Sequence, residues 1–366
     1  FIGYGGRTKM DKRVDSNLLL DMSGMLNDIG FNLDDELGVA NMAEYHYDDG
    51  AVYGFPTKYE NSRWILINED MFKEAGLDIP YDGWTYSEFL EDAEKLTHGE
   101  GQDKVYGVCW ARKQSGNSIL NALDGVLGAN QIYKNEEGTE VNFDNDVYRA
   151  GFNLVKETLD KGYAIPIEDE FSEDISVANT FLQGKCAIML GVAQMRLCMD
   201  QENYPHDFMT ALVPAPVPDD EKYNTEFYRK QIGTTGAGDL LSISANTKYP
   251  EASFEFAMWY LKGGMSPLVQ GGRIPLWNGV NKDEVLSVLK EKAQGSIDMD
   301  SMENYLSLDT TQGVAAIKGH ASSEISSAWF EEFDAMCYGK QSVDQTVQNM
   351  EKRGNELIQT ELSSQK

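Results

Sequence analysis

One stretch, Asp48 to Thr97, constrains the fold more than any other part of the chain: DDGAVYGFPTKYENSRWILINEDMFKEAGLDIPYDGWTYSEFLEDAEKLT. It reads as a turn, a Gly-Phe-Pro corner, a polar surface loop, a strand and two short helices in strict succession. The apolar run WILIN (Trp64 to Asn68) is a buried strand. Thr85 opens a capping box with Glu88, the hydroxyl satisfying an early helix amide while the glutamate reaches back. Phe89, Leu90, Ala93 and Leu96 then line one face of the helix that follows. The stretch holds no nucleophile–base pair, no metal cluster and no phosphate loop.

The same alternation continues. Val105–Trp110, Cys186–Leu190 and Leu240–Ser244 are strand-like, and Phe143–Lys161 is a turn and then a helix ended by Gly162. Leu18–Leu37 suits a helix and a loop. Pro250 fits a first helical turn, with EASFEFAMWYL behind it and Gly263-Gly264 as the stop. Ser342 and Gln345 make a second capping box, continued by Val343, Val347 and Met350. Strands alternating with helices indicate an α/β fold. At 366 residues the chain exceeds one ordinary core, and two domains are expected. Pro214–Lys222 is expected as a surface loop, and Asp298–Glu303 as a solvated turn. The latter only loosely resembles a calcium loop, lacking the central Gly and the closing Glu.

The net charge of −29 argues against nucleic acid, which needs clustered Lys and Arg. No apolar run approaches the ~20 residues of a membrane span. The glycine-rich GTTGAGD (Gly233–Asp239) matches neither nucleotide fingerprint. His46, His98, His206 and His320 are isolated, so neither a metal nor a cofactor is implied. Cys109, Cys186, Cys198 and Cys337 lack CxxC spacing and read as small buried core residues; one disulfide stays open in a secreted protein.

Four segments, in order, carry a resemblance. Asp48–Thr97 has YG-x-P, a strand, N-x-D-x-F-x-x-A-G and T-x-x-E-F; Phe181–Leu190 is FLQGKCAIML; Leu241–Phe256 is LSISANTKYPEASFEF; Trp329–Glu356 holds G-x-x-S-V-D. Together they resemble the family-one extracellular solute-binding proteins of bacterial ABC importers, best known from maltodextrin-binding members. The resemblance implies two α/β lobes, a hinge and a ligand cleft between them that closes by hinge motion. It implies a first lobe of residues 1–58 plus 244–309, with a strand and a helix upstream of Phe1. The second lobe is 62–238 plus 314–366. The hinge crossings fall near 57–62, 238–243 and 309–313. It implies non-catalytic capture of a carbohydrate and delivery to a membrane permease. It also implies a monomer outside the cytoplasm, lipid-anchored on the cell surface or periplasmic.

The resemblance also selects candidate ligand residues. Tyr4 and Arg7 follow the first strand; Arg7 either grips a hydroxyl or carboxylate, or is a solvated arginine after a glycine turn. Glu60, flanked by Lys58 and Tyr59, stands where relatives place a carboxylate that accepts from adjacent sugar hydroxyls. Gln194 and Arg196 occupy a loop where relatives carry a stacking tryptophan, and suit hydrogen bonding instead. Trp110 with Arg112 and Lys113 is either a stacking platform or a core tryptophan with neighbouring cations. Gly236, Arg273 and Trp277 complete the set; Trp64, Trp84, Trp259 and Trp329 read as packing residues. A glycoside-active enzyme is the main rival, but no two carboxylates are singled out on facing strand ends. A surface glycan sensor or adhesin is the other. The recurrence of Arg7, Lys58, Arg112, Lys113, Arg196 and Arg273 in cleft loops raises an anionic sugar as a sharper expectation.

Overall fold

The computed structural model describes residues 2–4, 6–38, 42, 45–47, 49–59, 63–113, 132–172, 176–229, 239–264, 266–307 and 319–364. Its strands are β1 (Ile2–Tyr4), β2 (Phe55–Pro56), β3 (Lys58–Tyr59), β4 (Trp64–Asn68), β5 (Tyr106–Cys109), β6 (Cys186–Leu190), β7 (Thr210–Pro214), β8 (Asp239–Leu241) and β9 (Ile274–Pro275). They form a sheet of order β1-β8-β2, a two-stranded ribbon β3-β9, and a sheet of order β5-β6-β4-β7. The β5–β6 pair is parallel and the pairings of β4 with β6 and β7 are antiparallel.

Alternation along a strand sends successive side chains to opposite faces, so a sheet buried on both sides must be apolar throughout. WILIN, CAIML and TALVP meet that requirement, every residue being buried. One face of the larger sheet carries Ile65, Ile67, Val108, Ile188 and Val213 against Phe89, Phe152, Trp329, Phe333 and Val347. These come from the helices Tyr86–Leu96, Asp146–Asp160, Ser322–Cys337 and Val343–Ser364. The other face carries Trp64, Leu66 and Leu212 into a cluster that runs on to Phe55, Leu240 and Leu241 of the smaller sheet.

Local signals account for the helix starts. Thr85 and Glu88 make the expected capping box, with Glu88 N donating to Thr85 Oγ1 at 3.3 Å and Thr85 N to Glu88 Oε2 at 2.7 Å. The helix Pro250–Trp259 starts on its proline. At Ser342 only half of the second box forms: Gln345 N donates to Ser342 Oγ, but the Gln345 amide turns to Asn349.

The structure departs from the sequence reading in four places. Cys109 and Cys186 are buried, as expected, but joined in a disulfide with Cα atoms 6.3 Å apart across a sequence separation of 77. Cross-linking a loop of that length is worth about 4 kcal/mol in the chain-entropy account. Asp298–Glu303 is no solvated turn: Met299–Ser307 is a helix whose Ser301 and Met302 are buried, and Ser301 Oγ accepts from Leu212 N at 3.0 Å. Pro214–Lys222 is exposed only in its second half. Ala215 and Val217 are buried because Val217 pairs with the backbone of Trp84 and Tyr86. Trp259 is 58% exposed, because its helix turns Phe254, Ala257 and Met258 inward and leaves Trp259 beside Phe256 on the outer side.

The chain passes from the smaller sheet at β2 to the larger at β4 through β3, and returns between β7 and β8. Residues 297–305 lie along β7: Ile297 bridges Thr210, and Tyr305 packs edge-on to Trp64 at 5.3 Å. Tyr81 donates to Asp298 Oδ2 at 2.6 Å, and this bond adds to burial in raising the phenol above its ordinary range.

Candidate functional site

The β3–β9 ribbon stands where the chain leaves one sheet for the other. Lys58 is opposite Pro275, Tyr59 is opposite Ile274, and Leu276 N donates to Thr57 O at 3.0 Å. The turn Gly271-Gly272-Arg273 enters β9, with Gly272 N donating to Val269 O and Arg273 N to Leu268 O. Gly272 has φ +74°, and a Cβ there would lie 3.1 Å from both Cα and Cβ of Arg196. The positive φ favours glycine, and a side chain there would press on Arg196. Two loops of separate origin therefore touch: the turn before β9, and the segment Gly191–Cys198 that follows β6.

The second segment begins at Gly191 in the left-handed region, continues as a 3₁₀ turn over Val192–Gln194 and then as the helix Met195–Cys198. Met195 and Cys198 are buried, which leaves Gln194 half-buried and Arg196 exposed. Arg273 is half-buried. Beyond β9, Trp277 donates its indole N–H to Glu36 Oε2 at 2.6 Å. Asn278 fixes the same corner, donating from N to Glu36 O at 2.9 Å and from Nδ2 to Asp35 O at 3.1 Å. Trp277 lines an open pocket of about 420 Å³, mouth included, together with Ile274, Leu276, Val285, Leu306 and Lys282.

The structure thus sets the segments that carry Lys58, Arg196, and Arg273 with Trp277 side by side, with Tyr59 at its register position in β3. Tyr4 ends β1 opposite Asp239, and Arg7 lies in the first turn of the helix Gly6–Asp15. Glu60 and Gly236, and most of the Gly233–Asp239 segment, fall outside the described residues.

The loop after β5 is built differently from the expectation. Trp110 is 1% exposed and donates its indole N–H to Thr158 Oγ1 at 2.9 Å, so it is a core residue and not a platform. Arg112 makes a two-point pair with Asp334, Nε to Oδ1 at 2.7 Å and Nη2 to Oδ2 at 2.9 Å, and stacks 4.1 Å from the Phe330 ring centre. Its fork is consumed within this half of the molecule. Lys113 N donates to Glu170 Oε2 at 3.0 Å. Burial pushes the Glu170 carboxyl up to about 7, against the opposing pull of the Lys113 amide and the Arg112 charge. The sequence reading overlooked Glu170, because a glutamate inside the acidic run IEDEFS carries no local signal of burial.

Similarity to known proteins falls in one group. A family model described as bacterial extracellular solute-binding protein matches residues 1–262. Among solved structures, a sugar transporter of Rhizobium etli in an open conformation has a TM-score of 0.70 at 17% identity, covering 96% of this chain and 84% of that one. An ABC substrate-binding protein of Listeria monocytogenes in complex with cycloalternan has a TM-score of 0.69 at 16% identity, covering 96% and 82%. The sugar-binding protein MalE of Xanthomonas citri has a TM-score of 0.66 at 16% identity, covering 99% and 85%. The fold is the two-lobed α/β fold of periplasmic binding proteins, with a hinge and an interlobe cleft. The chain belongs to the bacterial extracellular solute-binding protein family.

Proposed function

We propose that this protein captures a carbohydrate between its lobes and delivers it to the permease of an ABC importer, without chemical turnover. The observation that carries the reading is the meeting of the Arg196 loop with the Gly272–Arg273 turn beside the chain crossing at β3. Groups from two parts of the fold converge at a point where a hinge would open and close them, with an indole wall at hand for the apolar face of a sugar. Among the similar structures, one is in complex with cycloalternan and another is a sugar-binding protein, which supports a carbohydrate here.

The lobes are residues 1–58 with 244–309, and 62–238 with 314–366. Hinge crossings lie near 57–62, 238–243 and 309–313, and the helix Met299–Ser307 is the piece that leans on both lobes. The binding set is Tyr4, Arg7, Lys58, Tyr59, Glu60, Gln194, Arg196, Gly236, Arg273 and Trp277. The protein acts as a monomer, lipid-anchored outside the cell or free in a periplasm, and needs no cofactor.

A panel of mono- and oligosaccharides tested by thermal shift and calorimetry checks this. At least one sugar raises the melting temperature, because a ligand that binds only the folded form stabilises it by mass action. It is recovered unchanged, and scattering shows a more compact protein in its presence. Release of cleaved glycan in proportion to protein concentration would replace this reading with the glycosidase.

A further inference from the structure

We propose that the pocket beside β9 selects an acidic glycan, one bearing uronate carboxylates, with Lys282 and Arg273 as the charge-reading residues. This rests on the carbohydrate reading above and adds the ligand's charge to it. The apolar floor of Ile274, Leu276 and Leu306 and the indole of Trp277 suit the C–H face of a pyranose. The Glu36 carboxylate anchors the indole through Nε1, so the ring is held before a ligand arrives. Of the lining side chains, Lys282 alone is charged, and it is positive.

Arg273 immediately precedes the wall residue Ile274, and Gly272 carries the Arg196 backbone to the same corner. Among the described residues, Lys282, Arg273 and Arg196 form no ion pair with an acidic side chain. That sets Arg196 and Arg273 apart from Arg112, Arg149, Arg229 and Arg353, whereas Lys282 shares the lack of an ion pair with Lys248, Lys290 and Lys292. Arg112, Lys134, Arg149 and Arg353 all have carboxylate partners. Glu36, which reaches the wall residue Trp277, has Oε2 committed to its indole. A guanidinium or ammonium without a protein carboxylate gains more from a ligand carboxylate than from a neutral hydroxyl.

The test compares oligouronates of the glucuronate, galacturonate and mannuronate series with their methyl-esterified counterparts, which keep the skeleton and lose the charge. By calorimetry, at least one oligouronate binds tenfold or more tightly than its ester, and the preference shrinks as salt rises. Lys282→Met and Arg273→Met, each with an unchanged melting temperature, reduce the preference several-fold singly, and together abolish it while binding of the ester persists. Equal affinity for acid and ester, or a preference that survives in the double variant, overturns the proposal. Binding of neutral oligosaccharides alone overturns it and leaves the carbohydrate reading standing. Absence of binding by every glycan overturns both.

Discussion

Two arginine-bearing loops reach toward the middle of this molecule, and they differ in what the rest of the protein asks of them. The loop after β5 is closed on itself: Trp110 is in the core, Arg112 is forked onto Asp334 and stacked on Phe330, and Glu170 accepts from the Lys113 amide. The loops that meet at Gly272 leave Arg196 exposed and Arg273 half-buried. Among the described residues, Arg112, Arg149, Arg229 and Arg353 each have a carboxylate partner, and Arg196 and Arg273 have none. What marks a candidate ligand-gripping cation is therefore the absence of a structural partner, more than its position after a strand.

The widest separation between the loops should appear with the two tryptophans. Trp110→Ala opens a cavity and strands Thr158, for a loss of about 4 kcal/mol in denaturant unfolding. Trp277→Ala, at a half-buried site, should lose much less stability but most of the sugar affinity. A stable Trp110→Ala variant that had lost sugar binding would break the contrast and restore Trp110 as a platform.

The arginines come next. Arg112→Ala leaves Asp334 without its partner in a mostly buried setting and should lower stability by about 3 kcal/mol. The double variant with Asp334→Ala should lose less than the sum of the singles. Arg196→Ala should leave the melting temperature within about a degree, a surface effect, and act on ligand affinity alone. Calorimetry on both variants checks this.

The smallest of the stability changes around the β5 loop concerns Glu170. An unfolded carboxyl near 4.5 has lost its proton over the range in which the buried Glu170, at about 7, still holds one. The folded form binds more protons in that window, so stability falls as pH rises from about 4.5 to about 7 and is level above it. Glu170→Gln should remove this group's share of the slope and gain about 2 kcal/mol at pH 8. Sugar affinity should not change across pH 7; a change there would mean that the 111–113 backbone reports to the ligand.

Much of the fold was legible because its signals are local. Thr85 with Glu88, Pro250, and the uninterrupted apolar runs at β4, β6 and β7 each state their own conformation within a few residues. What escaped depends on distant partners. The helix Met299–Ser307 has an acidic first turn and looks solvated until β7 covers Met302. The Cys109–Cys186 bond exists because β5 and β6 are neighbours, and no spacing rule encodes that adjacency. Of the candidate site, Trp110 and Trp277 look alike as tryptophans close to arginines. They part only because Thr158 waits for one indole in the core and Glu36 for the other at a pocket. Glu170 was invisible for the same reason as the disulfide.

The two remaining thiols have a practical meaning. Cys198 is buried, which pushes its thiol pKa up to about 12, and burial raises the half-buried Cys337 as well, so neither presents a reactive thiolate near neutral pH. With Cys109 and Cys186 held in their bond, the native chain is close to silent toward maleimide dyes. A fluorophore pair placed on engineered surface cysteines, one on each side of β3, would light up only the intended positions. The movement of the two halves could then be followed molecule by molecule in the otherwise wild-type protein.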